Sequence, residues 1–506
     1  MLRIARPCLA GLCLPALLLC SSPGSTATPE VYLPQANSNW FAAAQETLHK
    51  NLSLEPVKDR AKNIILFVGD GMGVSTVTAS RIFEGQSLGM VGEEHVLSWE
   101  MFPNVALSKT YNVNQQVPDS AGTATAFMTG VKTKAGVISV DQSVTRGDCR
   151  SSRGHHTASF LELSEQRGLA TGIVTTSRLT HATPATAYAH VPERDWESDV
   201  NIPQAEKAAG CKDIALQLLE FPYGNGIEVA FGGGRENFLP VSFIDGEGGE
   251  GKRADKRNLI EEWKKKHPDG KYIWNEAMLN KLSAHSTGPV LGLFDASHMP
   301  FEADRAEELA AGPSLAAMTE KALQILQRHS EGYFLLVEAA LVDKGHHAGS
   351  AYRALTETVG LAEAVDKAVK MTSRNDTLII VTADHSHTLT MGGAPTRGNP
   401  ILGKVVANDN GGEAKTEYEK ALDNKPYTTL GYYSGPGARV KGNRADVHNT
   451  DTSAKNFKQP ALVPLQEGTH AGEDVAVYAR GPSAHLIRGV VEQNFLFHVM
   501  VHAARF

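Results

Sequence analysis

Six short runs of near-continuous apolar residues punctuate the chain, at residues 64–68, 170–176, 227–231, 334–337, 378–382 and 475–479. A strand with one face in water alternates apolar and polar side chains, whereas a strand covered on both faces has no need to. These runs therefore predict buried parallel strands. Between them the period changes. Leu355, Val359, Ala362 and Val369 recur at helical spacing, and residues 205–219 carry a similar pattern, so helices are predicted in both places. Strands alternating with helices predict an α/β fold, a central mostly parallel sheet sandwiched between helices. Two stretches interrupt the rhythm. Residues 233–312, rich in Gly, Lys, Asp and Glu, are expected to form a surface insertion. Residues 388–465, rich in Gly, Pro, Asn and Thr, are expected to form a loop-rich inserted subdomain near the C-terminal part.

Composition narrows the class only a little. Of 506 residues, 42% are apolar and 21% charged, the balance of an ordinary globular protein. A formal net charge of -7 gives no electrostatic reason to bind nucleic acid or an anionic membrane surface. An anionic substrate would need local positive charge in its site. Arg3 and Arg6 precede an apolar run from about Cys8 to Cys20, followed by Ser25-Thr26-Ala27, which is the pattern of a signal peptide over residues 1–27. That run is too short for a membrane span. With no hydrophobic tail before Phe506, residues 28–506 are expected to be an exported domain, periplasmic or extracellular, without a membrane anchor. Beyond the signal only Cys149 and Cys211 remain, either as one disulfide or as two buried thiols; export favours the disulfide.

Metal-loving side chains gather at the ends of four of the predicted strands. Residues 64–68 run into Gly69-Asp70-Gly71-Met72-Gly73, and residues 334–337 deliver Glu338, with Asp343 and His347 beyond. Residues 378–382 deliver Asp384-His385-Ser386-His387, and Thr469-His470-Ala471-Gly472-Glu473-Asp474 lies just ahead of Val475. Open parallel sheets bind ligands outside the carboxyl ends of their strands. Segments far apart in sequence would thus meet at one cleft. Asp343 and His347, four residues apart, share one side of a helical turn. Histidine with carboxylate suits zinc, and an all-oxygen set suits magnesium. Buried carboxylates without a partner or a cation are costly. In Pro118-Asp119-Ser120-Ala121-Gly122-Thr123-Ala124-Thr125-Ala126, Ser120 stands where a helix of small residues would begin. A hydroxyl there lies at the positive end of the helix, where backbone N–H groups favour an anion. Taken alone, it reads more simply as an N-cap.

Taken together, Asp-Ser-Ala with its flanking Thr-Ala-Thr-Ala, Gly-Asp-Gly-Met-Gly, Thr-Ala-Asp-His-Ser-His and Thr-His-Ala-Gly-Glu-Asp resemble the alkaline phosphatase family. The resemblance runs from about residue 60 to the C-terminus and is closer to animal-type members than to the enteric bacterial ones. It implies hydrolysis of a broad range of phosphate monoesters through a phosphoserine on Ser120, with two zinc ions and one magnesium ion, in a homodimer. It further implies one zinc on Asp343, His347 and His470, and the second on Asp384 and His385, with Asp70 shared and the Ser120 oxygen as a further ligand. Magnesium would lie on Asp70, Thr183 and Glu338. Arg194, in His190-Val191-Pro192-Glu193-Arg194-Asp195-Trp196, matches an arginine that clamps phosphate with its planar fork. His181 matches a residue beside the magnesium, outside its ligand set. The spacing of Cys149 and Cys211 is similar to that of a disulfide of the group. Lys344 departs from the animal pattern, which has His there; a lysine could reach phosphate through water. Gly312 stands where the animal enzymes have a calcium-ligating Asp, so a calcium site is not carried over. Diesterases and sulfatases share a similar metal core, but Ser120 with Arg194 favours monoesters. A catalytically dead exported scavenger of metal or phosphate is the reading from another class.

Overall fold

The computed structural model describes residues 33–285, 288–305, 307 and 312–506. The expected signal peptide lies outside the described residues. The chain divides into two compact units, Met1–Leu54 and Glu55–Phe506. The first contains the helix Asn39–Leu52. Everything below belongs to the second.

Its strands, in chain order, are β1 (Asn63–Gly69), β2 (Asn104–Lys109), β3 (Ala170–Arg178), β4 (Val229–Gly233), β5 (Lys271–Ile273), β6 (Val290–Leu293), β7 (Tyr333–Ala339) and β8 (Thr377–Ala383). Five short strands follow: β9 (Ser386–His387), β10 (Leu389–Met391), β11 (Leu430–Gly435), β12 (Ala461–Pro464) and β13 (His470–Ala471). The last two are β14 (Val475–Arg480) and β15 (Gly489–Glu492). Ten of these strands form the central sheet, in the order β15-β2-β14-β8-β1-β7-β3-β4-β6-β5. Alternate residues of the central strands enter opposite cores. Ile64, Leu66, Leu378 and Ile380 pack with the helices Phe160–Gln166 and Phe495–Ala504 on one face. Ile65, Phe67, Ile379 and Val381 pack with the helices Leu315–Leu326 and Ala351–Met371 on the other. Both faces are covered, so both sets of positions are apolar. Each large aliphatic side chain buried this way contributes roughly 1.5–3 kcal/mol.

Three expectations are corrected. Residues 475–479 form a strand, but β14 runs antiparallel to both its neighbours, β8 and β2. Burial alternates along Val475–Arg480, the pattern of an antiparallel strand with one face partly open, not of a strand covered on both faces. Residues 233–312 are not simply a surface insertion, because they supply β5 and β6 to one edge of the sheet. The helical pattern of 205–219 breaks into Gln204–Ala208 and Ile214–Leu219. Gly210 sits between them at φ +99°, and the Asp213 side chain caps the second helix. Residues 388–465 contain the whole of a separate three-stranded sheet, β10-β11-β12. Cys149 and Cys211 form a disulfide with Cα atoms 5.7 Å apart, and closing so long a loop stabilises by about 4 kcal/mol in the chain-entropy model. Among the described residues no helix is long and apolar enough to cross a membrane.

Candidate active site

The strands β8, β1, β7 and β3 lie side by side at the centre of the sheet, and their carboxyl ends deliver one set of side chains. Asp70 follows β1, Glu338 lies at the end of β7, and Asp384 and His385 follow β8. The short helix Leu341–His347 carries Asp343 and His347. Beyond β3, His181 and Thr183 stand at the start of the helix Ala182–Ala185. The turn after β1 requires glycine for space as well as for conformation. A Cβ on Gly71, at φ +71°, would lie 2.7 Å from His387 Cδ2, and one on Gly73 would lie 1.9 Å from Ser386 Oγ.

Three clusters of possible ligands result, each with its donor atoms within 4.8 Å of one another. One is Asp343, His347, His387 and His470; another is Asp70, Asp384 and His385; the third is Asp70, His181 and Glu338. Asp70 is shared by the last two. His347 Nε2 lies 3.3 Å from Asp343 Oδ2 and 3.3 Å from His470 Nε2. Behind each ring a carbonyl fixes its orientation: His347 Nδ1 is 2.6 Å from Gly468 O, and His470 Nδ1 is 2.7 Å from Pro118 O. His387, which the sequence reading left without a role, has Nε2 only 2.6 Å from Asp343 Oδ1. Its signal was the second histidine of the Asp-His-Ser-His run. Backbone pairing of β9 with β13 sets His387 opposite His470.

The donors fit cations. Glu338 Oε2 accepts from Thr175 Oγ1 at 2.5 Å and Ser177 Oγ at 3.1 Å, while Oε1 is buried and has no hydrogen-bond partner. Asp384 Oδ1 accepts from the amides of Gly71 and His385, while Oδ2 makes no hydrogen bond and lies 3.1 Å from His385 Nε2. Asp70 Oδ1 and the Thr183 hydroxyl are buried without partners too. Four such atoms facing one region are costly unless something positive fills it. Burial and the neighbouring carboxylates hold the Asp70 carboxyl well above its ordinary range. Burial likewise pushes Glu338 up to about 7 and Asp384 up to about 6. Asp343 goes the other way: burial opposes ionisation, but His347 and His387 hold it well below the usual range. Burial and His470 keep the His385 ring neutral, and burial lowers His387 to about 4.

Ser120 is the first residue of the buried helix Ser120–Thr129. Asp119, not Ser120, is the N-cap: its Oδ1 accepts from Gly122 N at 3.0 Å, which leaves the serine hydroxyl free. Ser120 Oγ lies 3.3 Å from His385 Nε2. Asp119 Oδ2 also accepts from Arg194 Nη1 at 3.1 Å and from Gly136 N at 2.9 Å. Arg194 Nη2 reaches His181 Nε2 at 3.3 Å. One carboxylate therefore sets both the start of the serine's helix and the arginine. Lys344 Nζ stands 3.5 Å from Asp343 Oδ2. The stretch 233–312 reaches the same neighbourhood through His298, which takes a 2.6 Å hydrogen bond from Arg178 Nη1 and lies edge-on to His181. No motif announced it.

A family model for alkaline phosphatase matches residues 61–506. The tissue-nonspecific alkaline phosphatase of Gallus gallus is 46% identical over 476 residues, which cover 92% of this chain and 89% of that protein. The alkaline phosphatase of Gadus morhua is 44% identical over 475 residues, 92% of this chain and 96% of that one. Among solved structures, the alkaline phosphatase of Thermus thermophilus shares the fold with a TM-score of 0.61 at 23% identity, covering 94% of this chain and 96% of that chain. The enzyme of the Antarctic bacterium TAB5 does so with a TM-score of 0.59 at 22% identity, covering 89% and 99%. The likeness spans the central sheet and every segment that contributes to the cleft, and on it this chain belongs to the alkaline phosphatase family of phosphomonoester hydrolases.

Proposed function

We propose that this protein hydrolyses a broad range of phosphate monoesters to alcohol and phosphate through a phosphoserine on Ser120. The observation that carries the reading is the position of its hydroxyl, 3.3 Å from His385 at the N-terminus of a buried helix, uncapped and facing a carboxylate cluster with unpartnered oxygens. Asp343, His347 and His470 would hold one zinc, Asp70, Asp384 and His385 the other, and Asp70, Thr183 and Glu338 a magnesium. The mixed nitrogen–carboxylate character of the first two sets and the oxygen character of the third support that division. When bound, these ions supply Lewis-acid stabilisation to the serine oxygen and to the departing oxygen.

The chain's own groups bind and orient the ester. Arg194, steadied by Asp119 and His181, presents its guanidinium to nonbridging phosphate oxygens. The amides at the start of the helix Ser120–Thr129 favour the negative charge beside them. Ser120 releases its hydroxyl proton to solvent and its Oγ attacks phosphorus in line with the ester oxygen; the Oγ–P bond forms as the ester P–O bond breaks, and the alcohol leaves with a proton from solvent. Water then attacks the phosphoserine from the vacated side, and Ser120 regains a proton as phosphate departs. Positioning and electrostatics do most of the work. Export and a homodimer complete the reading. The disulfide supports an oxidising compartment, and the family resemblance implies the dimer, with residues 388–465 as a contact surface that sedimentation can test.

Hydrolysis of a chromogenic monoester against pH, before and after chelation, tests the core of this reading. Alkaline turnover that chelation removes and zinc plus magnesium restore is the expected result. Bound zinc with no monoester turnover would overturn it in favour of a diesterase or a scavenger.

A further inference from the structure

Three consecutive residues near the C-terminus reach both halves of the cleft. Glu492, the last residue of β15, sets its carboxylate 2.8 Å from Lys132 Nζ, just beyond the serine's helix Ser120–Thr129. Gln493 is buried, and its Nε2 donates to the backbone carbonyl of Asp384 at 2.7 Å. Asn494 Nδ2 donates at 3.0 Å to the carbonyl of Gly130, the C-cap of the serine's helix. Both side chains forgo something locally. Gln493 Oε1 is buried without a hydrogen-bond partner. Asn494 stands at the N-cap of the helix Phe495–Ala504, where an asparagine ordinarily accepts from an amide of the first turn, yet its side chain makes no such bond. Phe497 closes over the same point: a Cβ on Gly130, at φ +76°, would lie 2.6 Å from its Cδ1.

We infer that Gln493 and Asn494 are positioning residues for the phosphorylation of Ser120, one fixing the loop that carries Asp384 and His385, the other fixing the helix that carries the serine. The inference rests on the phosphatase reading above. Both act through backbone carbonyls, those of Asp384 and Gly130. Because the two are adjacent in the chain, loop and helix are fixed to each other. Ser120 Oγ and His385 Nε2, 3.3 Å apart, stand on the two sides of this clasp. In-line attack depends on that spacing, and an error of about 1 Å costs about a hundredfold in rate. The helix Ser120–Thr129 is a rod of about 15 Å. Asp119 holds one end and Asn494 the other, so a movement at Gly130 is carried to Ser120.

The test follows the burst of 4-nitrophenolate from 4-nitrophenyl phosphate by rapid mixing with the zinc- and magnesium-loaded protein. Zinc affinity is measured beside it, by competition with a chromogenic chelator. Asn494→Ala should lower the phosphorylation rate constant by about tenfold, while burst amplitude, half-saturating ester concentration and zinc affinity stay native. Gln493→Met keeps the length and loses the donor. It should lower the same rate constant and also weaken zinc affinity by about tenfold. Burst amplitude counts correctly folded sites, so a merely structural role would lower the amplitude and leave the rate constant native. That result, or a native rate constant in either variant, would overturn the assignment. If Gln493→Met does not fold, Asn494→Ala decides alone. A loaded native protein that does not turn the ester over would instead overturn the phosphatase reading, and this inference with it.

Discussion

Removing the metals should destabilise this protein by an amount that grows with pH, and the buried carboxylates give its size. In the metal-free chain Glu338 holds its proton up to about pH 7 and Asp384 up to about pH 6, against ordinary values of 4.5 and 3.8. An acid whose folded pKa is raised contributes stability at low pH and loses it as pH rises through the folded value. Between pH 5 and those values each group costs the metal-free fold about 1.4 kcal/mol per pH unit, so the two together cost about 4 kcal/mol by pH 8. A bound cation replaces those protons and removes the cost. The neutral rings of His385 and His387 penalise both forms alike as pH falls, and so drop out of the difference. For a chain of this length about 1 kcal/mol corresponds to about 1 °C in Tm, so these two groups alone should widen the gap between loaded and metal-free protein by about 4 °C from pH 5 to pH 8, and the raised Asp70 and His470 act in the same direction. Scanning calorimetry on dialysed protein, with and without zinc and magnesium, measures that gap. A gap that stays constant or narrows would refute the view that these carboxylates are held protonated until a cation arrives.

Three further outcomes are open to measurement. Ser120→Ala should lower kcat by at least about a thousandfold and abolish burst-phase phosphorylation, while zinc content by elemental analysis stays at two per chain. His387→Ala removes the 2.6 Å support of Asp343 and should weaken zinc affinity about 10- to 100-fold, read by competition with a chromogenic chelator. Glu357, buried in the helix Ala351–Met371 and pushed by burial up to about 8, accepts a backbone hydrogen bond from Glu302. The unfolded chain loses this proton near the ordinary 4.5 while the native fold keeps it to about 8, so Glu357→Gln should gain about 1.4 kcal/mol on the native chain for each pH unit from about 5 to 8 and no more beyond, seen in urea midpoints. A midpoint difference that does not change between pH 5 and pH 8 would refute this.

The central strands were legible because burial on both faces makes every position apolar, a signal that survives without alignment. β7 and β8 are examples, apolar along nearly their full lengths. β2, β5, β6 and β15 were not. They are short edge or near-edge strands, and β2 and β15 carry half-exposed positions such as Val105 and Val490 that read as ordinary surface. The grouping of Asp70, Asp384 and His385 could be read from motifs at strand ends, because the carboxyl ends of adjacent parallel strands must converge. Asp119 as the cap and His387 as the support of Asp343 were hidden inside motifs whose other members drew attention. His298 could not be found at all. It comes from a loop, and only the pairing of β6 with β4 brings it near His181.

The antiparallel strand β14 also sets an order of events. It lies between β8 and β2, so β2 and β15 reach the rest of the sheet only through it. The helix of Ser120 follows β2 in the chain, whereas the carboxylates of the cleft follow β1, β7 and β8. Until Val475–Arg480 has left the ribosome, nucleophile and ligands belong to pieces of sheet with no strand to join them, and His470 has emerged only just before. A chain that ends before residue 475 therefore lacks the strand that joins the two pieces of sheet. A nonsense mutation anywhere before residue 475 yields a protein without a seam, not a weaker enzyme.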